Sequence, residues 1–400
     1  MFAHLSYNKL ATYWLKNGIF ALILSAIYLI LIAFLLTPLG SNLFATTEIL
    51  RSALVIHTNL SILVWFLSSI AAVWSYKLQL SYFTITCVIL AFISTALIAL
   101  SLICGQNFSV MNKYIPVLEN ILFILGLSLF GVTILLFAFY TLYHTIIYFN
   151  DWGSGAQLIK YTIFSTVILF LLSCLCFTIS YLQLQKVIRL TEISIEFYYE
   201  LLFWSGGHLL QFLYTQILIL VWVTLFYNGT GRELKYDKYY LVLLALNFVI
   251  AAVALGGHLL YNILDYGFKE YYVRVVKYET IITPVLALLL MLYDFIIPFP
   301  KTNHHLALLP DLRPSRILGE FVSSRESAKT YLQNNKIKKY IALFTFICSG
   351  ILFVLGKVSE LLITGTNAST IAYYQAPVIG ITVALLGFSF VIIGLPPQST

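Results

Sequence analysis

His208 lies inside a long apolar run, in the string Phe203-Trp204-Ser205-Gly206-Gly207-His208-Leu209-Leu210. An imidazole is costly to place in hydrocarbon, so a histidine there points to ligation, proton transfer or a structural hydrogen bond. The two glycines before it remove side-chain bulk, which lets something flat or large approach the backbone. The same Gly-Gly-His triplet returns at Gly256-Gly257-His258, and a third such histidine, His57, sits in Leu54-Val55-Ile56-His57-Thr58-Asn59-Leu60. Neutral imidazole is the commonest metal ligand, and helical bundles build cofactor sites from facing side chains. The bland alternative is that each ring bonds to a neighbouring helix.

The elements that carry these residues follow from composition. The chain has 400 residues, 60% hydrophobic and 10% charged, with mean hydropathy +0.93. A soluble domain carries about 25% charged residues. Apolar runs of about 20 residues recur, each enough to cross a bilayer as a helix. They are continuous rather than alternating, which excludes a β-barrel. The expectation is an all-α polytopic membrane protein, one transmembrane domain over 1–400, with ten spans at about 18–38, 52–76, 81–104, 115–147, 161–183, 197–227, 239–264, 279–299, 339–364 and 370–395. The first run is too long and too poorly flanked for a cleavable signal peptide.

A net charge of +7 does not point to nucleic acid here, because the basic residues gather in a few loops, as topology signals do. Lys9 and Lys16, the span 6–7 loop (Arg232, Lys235, Lys238) and a long loop over 301–339 share one side, which the positive-inside rule makes cytoplasmic. The opposite 7–8 loop carries Lys269, Arg274 and Lys277, against that contrast. With this orientation, His57, His208 and His258 fall in the outer half of spans 2, 6 and 7.

Other polar groups have plainer readings. Cys87, Cys104, Cys174, Cys176 and Cys348 lie in apolar segments and read as small hydrophobes. Glu192, Glu196 and Glu200 form one stripe at the start of span 6, favourable at a helix N-terminus. Trp65, Trp74, Trp204 and Trp222 read partly as an interfacial aromatic belt, with Trp204 one turn from His208. His4, His144, His304 and His305 lie at helix ends or in loops and read as solvated.

The run from Arg51 through His57 to Trp65-Phe66, the string ending at His208, and His258 fifty residues later resemble subunit I of the haem-copper oxidases. The resemblance in helix order covers nearly the whole chain. It implies haem and copper: His57 as an axial ligand of a low-spin haem, His208 and His258 as copper ligands. Span 10, Ile371-Ala372-Tyr373-Tyr374-Gln375-Ala376-Pro377, resembles the segment where that family places a His-x-His pair, and Tyr373 and Gln375 occupy those positions. A phenolate can ligate haem iron. His258 is flanked by Gly257 and Leu259, without the adjacent second histidine, and Phe212 stands four residues after His208.

The resemblance therefore implies a bacterial inner-membrane protein with its N-terminus in the cytoplasm and a subunit I-like bundle. Its metal sites are degenerate, and it is not a complete oxygen reductase. One alternative is a working cytochrome c or quinol oxidase subunit with unorthodox ligands, assembled with other respiratory oxidase subunits. Another is a transporter in which the three histidines and Glu279 line a path, although repeats typical of transporters are absent beyond the paired triplets.

Overall fold

The computed structural model describes residues 8–43, 47–104, 108–112, 114–148, 157–232, 234, 237–297, 325–362 and 368–393, with the side chains of all of these except 237, 279, 325–335 and 368–374. Among them, ten helical segments are long and apolar enough to cross a bilayer. Spans 1 to 5 are Lys9–Leu35, Thr47–Trp74, Tyr82–Leu100, Ile121–Ile147 and Gln157–Val187. Spans 6 to 10 are Ile195–Thr230, Lys238–Leu260, Tyr266–Ile296, Lys336–Leu362 and Gln375–Ile393. The protein is an all-α polytopic membrane protein.

Where the helix ends depart from the hydropathy reading, local chemistry gives the reason. Span 1 begins at Lys9 because Asn8 caps it: the Asn8 Oδ1 accepts from the N–H groups of Leu10 and Ala11 at 2.9 and 3.4 Å. Span 4 begins at Ile121, with Asn120 capping it in the same way. The residues before it form an antiparallel hairpin of β1 (Ser109–Val110) and β2 (Val117–Leu118). Span 8 begins at Tyr266, so the charges read as a 7–8 loop lie on its first turns. Two of them are paired: Lys269 with Glu200 at 2.9 Å and Arg274 with Glu270 at 2.5 Å. The helix of span 9 extends back to Arg325, so the later part of the stretch read as a loop is helical, while 301–324 lies outside the described residues.

Span 2 is not regular. Asn59–Val64 forms a π-helical turn that opens two residues after His57, a departure that often marks a functional position. Span 7 is interrupted at Leu255 and Gly256, before a last turn Gly257–Leu260 that carries His258. Span 6 is the hub, packing on spans 5, 8, 9 and 10. Its most apolar stretch is 89% buried within the protein, against 33% for span 1. Ile23, Ile27 and Ile30 of span 1 are exposed apolar residues of the kind a lipid-facing surface carries.

Polar rungs join the helices where lipid could not satisfy such groups. Asn17 donates to Ser68 Oγ and accepts from Thr95, tying spans 1, 2 and 3. The Trp74 indole donates to Thr166 at 2.9 Å and the Trp222 indole to Ser349 at 2.8 Å. Gln216 accepts from Ser165 and donates to the Leu244 carbonyl, linking spans 5, 6 and 7. All four tryptophans read as a partial interfacial belt, Trp65, Trp74, Trp204 and Trp222, are instead buried.

Candidate functional site

The span 6 string forms the centre of the candidate site. A Cβ on Gly207 would stand 2.4 Å from the Tyr114 ring, and one on Gly206 would stand 2.3 Å from the Phe177 ring. On span 7, a Cβ on Gly257 would stand 2.7 Å from the Tyr272 ring. The flat groups that the glycines admit are therefore aromatic rings of this chain itself.

His208 is buried, and both of its ring nitrogens are engaged. Nδ1 lies 2.7 Å from the Trp204 carbonyl, and Nε2 lies 2.8 Å from the Tyr114 hydroxyl. A carbonyl only accepts, so Nδ1 carries the proton; the neutral ring then accepts at Nε2 from the Tyr114 hydroxyl. A metal ion needs a ring lone pair, and this one already receives a proton donor. Tyr114 and Trp204 stand edge to face with each other at 5.8 Å, and both are tilted against the His208 ring at 4.8 and 4.9 Å.

His258 sits close to the same cluster. Its Nε2 lies 3.0 Å from Ser205 Oγ, which in turn lies 3.2 Å from Ser180 Oγ. Its Nδ1 is buried and, among the described residues, meets no hydrogen-bond partner. The Tyr272 ring of span 8 lies 5.6 Å from the His208 ring and 6.2 Å from the His258 ring, so the two histidines share one aromatic neighbour. Above them Lys269, held by Glu200, stands over the rings of Phe197 and Trp204 at 4.8 and 5.2 Å. The other members of the acidic stripe, Glu192 and Glu196, are exposed.

His57 has different surroundings. Its Nδ1 lies 3.0 Å from the Ser25 carbonyl and 2.8 Å from the Ser25 hydroxyl. The carbonyl fixes the proton on Nδ1, and no described group bonds Nε2. A ring anchored through one nitrogen with the other lone pair available is the arrangement of a metal-ligating histidine. In span 10, Gln375 is exposed, and the side chain of Tyr373 lies outside the described residues, as does that of Glu279.

Of the five candidate ligands, the structure thus brings together His208 and His258 around Tyr272. His57 forms a separate site with Ser25. Among the described residues, no three His, Cys, Asp or Glu side chains cluster as a metal set. The donors at His208 do not fit copper, since both nitrogens are committed to protein groups; the ring of His57 does fit an axial haem ligand. Tyr114, Tyr272 and Asn59 are the participants that the sequence reading missed. A weak signal for Tyr114 exists, since Asn112 and Pro116 around it are turn-forming residues ahead of the Asn120 cap.

No family model matches the chain. It is 41% identical over 414 residues to the uncharacterized protein RP382 of Rickettsia prowazekii (strain Madrid E), an alignment that covers 96% of this chain and 78% of that one. The chain belongs to the same family as that Rickettsia protein.

Proposed function

We propose that this protein is a diverged membrane relative of haem-copper oxidase subunit I that does not reduce oxygen. The observation that carries this reading is the closed state of His208. Its two nitrogens are satisfied by Trp204 and Tyr114, and the Gly207 notch beside it is filled by the Tyr114 ring. A copper ion there would have to displace a buried hydrogen bond and a packed aromatic ring. The His57 ring keeps a ligation-ready tautomer, which supports a retained haem position on span 2. Haem bound there would supply one-electron chemistry, and Ser25 would hold the imidazole in place.

The same reading puts the protein in a bacterial inner membrane with its N-terminus in the cytoplasm, on the Lys/Arg content of the loops on that side. A transport function has less support. Broken helices in transporters lie near mid-depth, whereas the interruption of span 7 at Leu255 and Gly256 lies near its end.

The test is an optical spectrum of purified protein, oxidised and then dithionite-reduced, with metal analysis and oxygen uptake on the same sample. The expected result is neither copper nor oxygen uptake, and a haem band in the wild type that is lost in His57→Ala. Stoichiometric copper removed by His208→Ala would overturn the reading.

A further inference from the structure

The hairpin before span 4 joins the two histidine sites. It is fastened to span 2 at two points. Ser109 Oγ donates to Glu48 Oε2 at 3.3 Å, and Asn59 Nδ2 donates to the Pro116 carbonyl at 2.7 Å. Asn59 is 1% exposed and opens the π turn two residues after His57. The hydroxyls of Ser25 and Ser61 both donate to the His57 carbonyl, at 3.2 and 2.7 Å, where regular α-helical bonding gives way. Two residues before Pro116, Tyr114 fills the Gly207 notch and holds His208 Nε2. Asn112 stiffens the tip: its Oδ1 accepts from the N–H groups of Tyr114 and Ile115 at 3.1 and 2.9 Å.

We propose that this hairpin is a strap that ties the conformation of span 2 at His57 to closure of the His208 notch on span 6. Coupling between two sites needs an element with two discrete arrangements, and the π turn supplies one. It holds one residue more than an α-helical pattern allows, so relaxing it turns the helix before it, with His57 and Asn59, relative to Trp65–Trp74 by about 100°. That rotation takes the Asn59 amide off Pro116. The Oδ1 of Asn59, buried and without a partner among the described residues, provides no second hold. Tyr114 then leaves Gly207, and both the notch and His208 Nε2 open.

The test uses the full-length protein in lipid nanodiscs with two mass-spectrometric readouts. One is hydrogen exchange over the hairpin, where the amides of Tyr114, Ile115 and Glu119 are bonded. The other is modification of His208 by diethyl pyrocarbonate. Asn59→Ala and His57→Ala are each expected to raise both readouts by about fivefold or more, the factor for one lost hydrogen bond. Ser349→Ala, on span 9, is expected to move neither. If Asn59→Ala does not fold, Ser25→Ala, which removes the hydroxyl from the His57 carbonyl, carries the same expectation. His208 modification within about twofold of wild type in folded His57→Ala and Asn59→Ala (or Ser25→Ala) protein, a change smaller than one hydrogen bond supplies, overturns the proposal. Neither readout involves haem or copper, so this failure is distinct from failure of the oxidase relationship.

Discussion

Tyr114 and His208 meet hydroxyl to imidazole at 2.8 Å, across 94 residues of chain, with the phenol ring lying over the backbone of Gly207. A residue from the segment between spans 3 and 4 thereby completes the interior of span 6. Removing only the hydroxyl, in Tyr114→Phe, leaves a buried acceptor without a donor and is expected to cost about 1–2 kcal/mol. Tyr114→Ala also leaves a cavity and is expected to cost about 3 kcal/mol or more. Denaturant or SDS titration of the purified protein measures both, and equal losses would contradict the packing role of the ring.

Gly207→Ala places a methyl 2.4 Å from the Tyr114 ring, so something must move. Overpacking of this kind costs about 1–3 kcal/mol. In a Tyr114→Ala background the ring atoms at 2.4 and 2.6 Å are gone and only the Cβ at 2.8 Å remains, so the penalty is expected to shrink. A double-mutant cycle on unfolding free energy reads the difference directly.

Spans 9 and 10 offer a cleaner steric case. A Cβ on Gly356 would stand 2.3 Å from the Pro377 ring, which has no rotamer to yield. Gly350, on the same helix, has its nearest neighbour at 3.5 Å, an ordinary contact. Gly356→Ala is expected to be destabilising by about 2 kcal/mol or more. Gly350→Ala is expected to be neutral or stabilising by a few tenths of a kcal/mol, since alanine favours the helix. Thermal inactivation of the two variants side by side distinguishes them.

Lys357 Nζ donates to Glu360 at 2.8 Å and to Thr280 at 3.0 Å, with the two charged side chains only 11% and 13% exposed. Breaking such a pair strands a charge, so Lys357→Met alone is expected to cost about 3 kcal/mol. Lys357→Met combined with Glu360→Gln is expected to lie much closer to the wild type. If the double variant is no better than the single, the pair is solvated in the membrane protein and the burial argument fails.

The ten spans were legible because apolar length is a local property of sequence. The polar histidines stood out against that background for the same reason. The partners of the histidines were not legible. The run Ile115-Pro116-Val117-Leu118 reads as the start of span 4, and only the cap at Asn120 and the turn at Asn112 mark it as part of a separate hairpin. The start of span 8 was hidden by Lys269 and Arg274, whose charges depress hydropathy until their pairing with Glu200 and Glu270 is known. The paired Gly-Gly-His triplets announced close approach correctly but not by what. Whether a notch holds a cofactor or the protein's own tyrosine depends on contacts far apart in sequence, such as Tyr114 with Gly207 and Tyr272 with Gly257.

The close fit of Gly356 to Pro377, of Gly380 to the backbone at Ser349 and of Gly387 to Thr345 has a consequence for biogenesis. Spans 9 and 10 follow one another in the chain, so their mutual face is made of local contacts, which form quickly. As translation delivers them to the bilayer, they can close into a helical hairpin before either docks on span 6. The Lys357–Glu360 pair lies within one helix of that hairpin, so its two charges offset each other before Lys357 reaches Thr280 of span 8.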